Sequence, residues 1–185
     1  MSLNIDLFNF VNHNLQNPIF DMILPVITHF GGFIWLLAIL IVLIAYAKLK
    51  NKDNLRKVAI LALCALLFAD LITFVLKHVV NEPRPFLTLN NVSLLINEDD
   101  IFSFPSGHTT STFAVVTIFV LKMEELVKKH HIIVEIFLIL FAVIILFSRI
   151  YCGVHYPFDV LSGAIIGIFG ALVINKYENK ILSYI

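Results

Sequence analysis

A histidine with an arginine six residues before it and an aspartate four residues after it can do phosphorus chemistry if the chain holds all three in one place. The run Ser148-Arg149-Ile150-Tyr151-Cys152-Gly153-Val154-His155-Tyr156-Pro157-Phe158-Asp159 sets them at the junction of two long apolar segments. Ionisable groups at such depth cost about 2.5 kcal/mol or more on scales for the bilayer centre, so they are read as functional. A helix starting near Tyr156 and Pro157 puts Asp159 one turn beyond His155. The carboxylate then accepts the imidazole N–H, fixes the tautomer and leaves the other ring nitrogen free to attack. Arg149 supplies a planar fork of donors matched to phosphate oxygens. The chemistry this suggests is a nucleophilic imidazole facing an anion clamp.

Two further stretches carry related residues. In Lys77-His78-Val79-Val80-Asn81-Glu82-Pro83-Arg84-Pro85, a lysine at the end of an apolar run is followed seven residues later by an arginine, and the prolines hold Arg84 in extended backbone. Taken alone, Lys77 also fits a side chain lifting its ammonium to the membrane interface. In Phe104-Pro105-Ser106-Gly107-His108-Thr109-Thr110, a proline, a small hydroxyl and a glycine open a helix. Its free N–H groups and positive dipole end suit an anion, and His108 is a side chain poised to give a proton near neutral pH. A capped helix with an incidental histidine is the plainer reading of that stretch.

The elements that must position these residues are apolar. The chain has 185 residues, 59% hydrophobic and 14% charged, with a formal net charge of zero. That composition belongs in a bilayer, and nothing in it favours nucleic acid. Residues 2 to 17, with Leu3, Leu7, Phe10, Val11 and Leu15 at helical spacing, predict a short interfacial helix ended by Asn17-Pro18. The stretch 19–47 predicts a short entering helix, a break around Pro25 and Gly31-Gly32, and a full span from about Gly32 to Ala47. Four more spans follow at 58–76, 105–121, 132–147 and 157–174, giving five, with six as the alternative count. No Lys or Arg precedes Lys48 and no small-residue cleavage site is visible, which argues against a removed signal peptide. Cys64 and Cys152 read as packing residues, His29 as a polar residue at the interface, and Asp70 as a partner within the bundle.

Assigning the loops alternately to two faces puts Lys48, Lys50, Lys52, Arg56, Lys57, Lys122, Lys128, Lys129, Lys176 and Lys180 on one face, ten of the thirteen basic residues. The positive-inside rule makes that face cytoplasmic, with the C-terminus on it. Lys77, Arg84 and Arg149 fall on the opposite face, which is otherwise acidic with Asp6, Asp21, Glu82, Glu98, Asp99 and Asp100, so the three cations look selected for a local anion. The longest polar connection, 81–104, lies on that face and is long enough to act as a lid.

Taken together, Lys-x6-Arg-Pro at Lys77–Pro85, Pro-Ser-Gly-His at Pro105–His108 and Ser-Arg-x5-His-x3-Asp at Ser148–Asp159 resemble the three-part signature of the type 2 phosphatidic acid phosphatase superfamily. These are metal-independent membrane lipid phosphatases related in fold to vanadium haloperoxidases. The signature spans nearly half the chain with every position matched. The resemblance implies an all-α membrane bundle with an acid phosphatase-like core, no cofactor or metal, and a phosphorylated lipid as partner. It also implies His155 as nucleophile forming a phosphohistidine, Asp159 as its orienting carboxylate, and His108 as acid and then base. Lys77, Arg84, Arg149, Ser106 and Gly107 would hold the phosphoryl oxygens. The opening Asn17-Pro18-Ile19-Phe20-Asp21 and the interrupted first span are similar to undecaprenyl-diphosphate phosphatases of this superfamily. Phosphatidic acid, phosphatidylglycerophosphate and lipid A are the alternative substrates. An anion transporter is the alternative class, and it requires charges spread through the slab; a soluble haloperoxidase does not fit the composition.

Overall fold

The computed structural model describes residues 3–183. Ser2, at the start of the expected interfacial helix, and the last two residues of the chain lie outside them. Among the described residues the fold is all-helical, with only an isolated bridge between Pro83 and Phe102. The first helix, α1 (Leu3–Asn9), continues through a π turn (Phe10–Asn14). Then come α2 (Pro18–His29), α3 (Phe33–Leu49), α4 (Asp53–Val80), the single turn α5 (Pro85–Thr88), α6 (Gly107–Leu121), the short α7 (Met123–Leu126), α8 (His131–Tyr151), α9 (Pro157–Lys176) and α10 (Glu178–Leu182).

The helices α4, α8 and α9 are each long and apolar enough to cross a membrane, and α2 with α3, bent by 57° at the break, pass the same test together, as a broken span or a re-entrant loop does. Pro25 does not end α2. The break falls instead at Phe30–Gly32, after which Gly32 takes extended backbone and α3 begins. The segment expected as the third span, α6, is the exception in length. Its 15 residues make about 22 Å, short of the roughly 30 Å of a hydrocarbon core. It is also the most enclosed helix, packing on α9, α4, α8 and α3 with Thr109, Thr110, Ser111, Thr112, Ala114 and Ile118 buried. A helix so surrounded meets protein rather than lipid and has no need to match the bilayer.

Small residues let α6 and α9 approach this closely. A Cβ on Gly167 would lie 2.5 Å from the Thr110 carbonyl oxygen and 2.8 Å from the Ala114 nitrogen. Gly163 stands in the same relation to the Ser106 carbonyl, at 2.7 Å. The buried hydroxyls of α6 are satisfied within the bundle: Thr73 donates to Thr110, Thr110 to the Ser106 carbonyl, and Thr112 to the carbonyls of His108 and Gly31. The apolar core below comes from Leu61, Ala62, Ala65, Leu66, Ala69, Ala114, Val115 and Ile118 of α4 and α6, with Leu36 and Leu40 of α3 and Ala171 of α9.

The N-terminal helix is fastened to one end of the bundle. Phe8 packs under Tyr156 with Ile150 and Val160, and the Asn4 amide oxygen accepts from the Phe158 N–H. Asn12 is fully buried and donates to the carbonyls of Tyr151 and Ser93. The connection 81–104 shares that end. It contains α5, and its two limbs are joined by hydrogen bonds from Ser103 N–H to the Glu82 carbonyl and from Arg84 N–H to the Ile101 carbonyl.

Gly167→Ala is expected to destabilise the chain by about 1–3 kcal/mol, because the contact it crowds is backbone that cannot swing aside. A Cβ on Gly107 would meet nothing within 4 Å, so Gly107→Ala provides the comparison. Thermal midpoints in detergent should fall for the first substitution and hold for the second; equal midpoints would contradict the close α6–α9 contact.

Candidate active site

The sequence-selected residues come from five places along the chain that meet at one end of the bundle. Lys77 is in the last turn of α4, Arg84 precedes α5, Gly107 and His108 open α6, Arg149 is in the last turn of α8, and His155 and Asp159 flank the start of α9. Lys77, Arg84, Gly107, His108 and His155 line one cavity of about 370 Å³, together with His29, Gly32, Phe33, Ile34, Trp35, Asp70, Glu98 and Asp100. A second apolar cavity between α3 and α4 shares Phe33, Asp70, Lys77 and Gly107 with it and adds Leu67, Leu71 and Phe74. The charged end therefore opens sideways toward where lipid chains would lie. The charges do not spread down the bundle as a transport path would require.

His155 is almost wholly buried, in the connection between α8 and α9. Its Nε2 lies 3.2 Å from the Arg84 NH1, which also donates to the Val154 carbonyl at 3.0 Å. A guanidinium can only donate, so Nε2 is the accepting nitrogen and a neutral ring carries its proton on Nδ1. That proton faces Ser103 and Asp159: Nδ1 is 3.4 Å from the Ser103 hydroxyl and 3.5 Å from the nearer Asp159 oxygen. Burial, followed by the charges of Arg84, Arg149 and Lys77, holds the His155 pKa well below the usual imidazole range and keeps the ring neutral.

The expected direct His155–Asp159 hydrogen bond is thus stretched, and Ser103 explains why. Its hydroxyl donates to the Asp159 Oδ2 that the Tyr156 N–H also reaches at 2.7 Å, so the serine stands between ring and carboxylate. The other oxygen, Oδ1, is buried without a partner. Ser103 was not among the residues selected by sequence. It lies three positions before Ser106 in a polar connection, and nothing in its spacing marks it.

Ser106 differs more from its expected part. Its backbone N–H, expected to be open to an anion, donates to the Asp159 carbonyl at 3.1 Å, and its hydroxyl accepts from Thr109. This N–H joins the start of α6 to the start of α9. Gly107 does line the cavity, with open space beside its Cα. His108 packs over Gly32, where a Cβ would come 3.1 Å from its Nε2, so the break between α2 and α3 makes room for the ring.

None of the three cations stands alone. Lys77 donates to Asp100 and to the Phe102 carbonyl, both at 2.7 Å. Arg84 pairs with Glu98 at 3.5 Å and Asp100 at 3.7 Å, and its Nε donates to the Asp100 carbonyl. Arg149 is fully buried, bonded to Glu98 and, at 3.1 Å, to the Thr28 hydroxyl, with its Nε unpartnered. Burial raises the Asp100 carboxyl, but hydrogen bonds from Lys77 and the Phe102 N–H and the charges of Lys77 and Arg84 outweigh it, leaving its pKa below the usual value. Asp70, two turns deeper on α4, takes the Ser111 hydroxyl at 2.9 Å, a partner within the bundle. His29, read as a polar residue at the interface, forms part of the cavity wall. Among the described residues no group of three or more His, Cys, Asp or Glu is placed to hold a metal ion.

An all-helical membrane bundle with this cation and imidazole cluster at one end defines a lipid phosphatase of the acid phosphatase-like class. The pattern of the PAP2 superfamily matches residues 57–182, and the chain belongs to that family. It is 32% identical over 177 residues to the bacitracin transport permease protein BcrC of Bacillus licheniformis, covering 93% of this chain and 79% of that one. It is 28% identical over 170 residues to an undecaprenyl-diphosphatase of Sulfolobus acidocaldarius, covering 90% and 74%. Its fold is similar to the crystal structure of a PAP2-type phosphatidylglycerolphosphate phosphatase from Bacillus subtilis, with a TM-score of 0.82 at 24% identity over 97% of this chain and 89% of that one.

Ser103→Ala removes the group between ring and carboxylate, and kcat should fall about 10- to 100-fold with little change in KM; an unchanged kcat would remove Ser103 from the site. The acid limb of kcat/KM should lie below pH 6.5, the ordinary imidazole value, because the neutral form of His155 is favoured. Arg84→Met takes away one of the charges that depress this pKa, so in its residual activity the limb should move up in pH; a downward shift would contradict the electrostatics.

Proposed function

We propose that this lipid phosphatase removes the terminal phosphate of a polyprenyl diphosphate, undecaprenyl diphosphate giving the monophosphate, at the outer face of the membrane. The observation that carries the phosphatase chemistry is the His155 Nε2 held unprotonated by the Arg84 donor, inside a cavity that also presents Lys77, Gly107 and His108. The lateral apolar opening between α3 and α4 lets a prenyl tail stay in the bilayer while its phosphates reach the cations. The likeness to the relative named as an undecaprenyl-diphosphatase supports this substrate. The Lys and Arg residues concentrated away from the site support an outward-facing cavity by the positive-inside rule.

In this reading His155 Nε2 attacks the terminal phosphorus as the bond to the bridging oxygen breaks, and His108 gives a proton to the departing lipid monophosphate. The Nδ1–H, facing Ser103 and Asp159, keeps the positive charge of the phosphohistidine next to a carboxylate. His108 then takes a proton from water, which attacks the phosphorus and frees His155 with inorganic phosphate. Lys77, Arg84, Arg149 and the N–H groups at the α6 start stabilise the charge on the equatorial oxygens, and Ser106 ties that helix start to α9.

His155→Ala should abolish phosphate release from the purified protein, and release that survived would eliminate the nucleophile. Activity should persist in excess EDTA and fall with orthovanadate, since fixed cations supply the electrostatics; strict dependence on added Mg²⁺ would contradict the clamp. A panel of undecaprenyl diphosphate, phosphatidic acid, phosphatidylglycerophosphate and lipid A should show the highest kcat/KM for the first. A preference for any of the others would reassign the substrate.

A further inference from the structure

The two carboxylates on the cations sit on the connection that overhangs the cavity. Glu98 spans Arg84 and Arg149, and Asp100 spans Lys77 and Arg84, so two acidic side chains occupy donors from all three cations. In charge this imitates a bound phosphate dianion: two negative charges shared among three cationic partners.

The chain on either side is fastened by backbone hydrogen bonds, and the part between has none of its own. Upstream, Asn12 takes the Ser93 N–H at 2.9 Å and donates to the Ser93 carbonyl at 3.0 Å, while the Leu95 N–H donates to the Cys152 carbonyl. Downstream, the hydrogen bonds Arg84–Ile101 and Ser103–Glu82 close the other limb. From Asn97 to Asp100 no backbone–backbone hydrogen bond forms. Ile96 before it packs on the Leu24, Tyr151 and Cys152 cluster, and the Asp100 carbonyl takes the Arg84 Nε, so Asn97 to Asp99 is the part held over the cavity through the Glu98 charge. A group that takes the cations away from Glu98 and Asp100 releases it, and the two anchors limit how far it moves.

We propose that Glu98 and Asp100 determine specificity by competing with the substrate for its own binding groups, which selects headgroups ending in a dianionic phosphate. The inference rests on the site reading given under Proposed function. A terminal phosphate carries about −1.5 to −2 charge near neutral pH and three acceptor oxygens, so it replaces both carboxylates charge for charge. A phosphodiester brings a single negative charge and two free oxygens. Displacing both carboxylates would leave a buried cation without a partner, and displacing neither leaves no room. The closed arrangement therefore weakens every anion, by the fraction of molecules that are open, and weakens diesters most. Phosphodiesters are the bulk of the surrounding lipid, so this discrimination matters in a bilayer.

The test uses the full-length purified protein with inorganic phosphate and a phosphodiester lipid, phosphatidylglycerol, as competing ligands of hydrolysis. In Glu98→Gln the inhibition constant for inorganic phosphate should fall about threefold to tenfold, as the competent fraction rises. The inhibition constant for phosphatidylglycerol should fall by a larger factor. Asp100→Asn should act in the same direction but less, because its side chain is 42% exposed against 18% for Glu98. Inhibition constants that stay the same or rise would overturn the proposal, since the carboxylates would then be supports for the arginines. A second measurement uses the unmutated chain: orthovanadate should speed amide hydrogen exchange between Asn97 and Phe102, and unchanged or slower exchange there would overturn it too. The two readings fail separately. Hydrolysis surviving His155→Ala removes the site reading, whereas intact vanadate inhibition with unchanged Glu98→Gln constants removes the competition alone.

Discussion

Gathering Lys77, Arg84 and Arg149 at one mouth of an apolar bundle creates a repulsion that no helix packing can absorb, and the neutralisation of that charge shapes this end of the molecule. Water is largely excluded from Arg84 and Arg149, whose side chains are 3% and 1% exposed, so the counter-charges must come from protein. Glu98 and Asp100 supply them, and they sit in a connection that has no regular structure of its own beyond one turn of helix. A buried guanidinium left without a counter-charge costs more than an exposed ion pair contributes. The connection is ordered because the charges need it. Arg149 shows the limit of the arrangement: even with Glu98 and Thr28 its Nε stays unpartnered.

Much of what positions the site lies outside the 57–182 stretch that carries the family pattern. Thr28 holds Arg149, the α2–α3 break makes room for His108, and Asn12 fastens the connection bearing Glu98. The α1 helix, whose spacing suggests a surface lying in the interface, also acts as a clamp through Phe8 and Asn4. The bend between α2 and α3 is useful here for a physical reason. It brings Gly32 and Phe33, at the start of α3, to the cavity wall, where Phe33 also lines the lateral opening between α3 and α4.

Residues whose type is costly in a membrane were legible in the sequence: Lys77, Arg84, His108, Arg149, His155 and Asp159 stand out against apolar runs and fall on one face by alternation of spans. The positions of the apolar helices were readable for the same reason, but their ends less so: α4 runs from Asp53 to Val80 where 58–76 was expected, α8 carries on to Tyr151 past the expected 147 and so takes in Arg149, and α2 absorbs Pro25. Ser103, Thr28 and Asn12 were not legible. Small polar residues in connections are common, and their partners lie 56, 121 and 81 positions away, so no local period reports them. Glu98 and Asp100 were visible as acidic residues on the site's face, yet their pairing depends on how a long connection folds back. Ser106 was placed correctly at a helix start, but the demand of the Asp159 carbonyl for its N–H could not be foreseen from sequence.

The same three cations give the proposed reaction its order. Before transfer, burial and then the charges of these cations hold the His155 pKa low, so the ring in the proposed reaction is a free base without any separate group to deprotonate it. During transfer they meet the negative charge spreading over the phosphoryl oxygens. In the proposed phosphohistidine the ring would bear the phosphoryl group and a positive charge, which the cations that favour a neutral imidazole would oppose. Two features offset that opposition: the phosphoryl group brings its own negative charge among the cations, and Asp159 lies behind Nδ1 with Ser103 between them. Asp159 thus has most effect after the attack rather than before it, which fits a stretched contact in the resting arrangement and an oxygen left with bonding capacity to spare. A carboxylate already bonded tightly to the neutral ring would have less to gain when the charge appears.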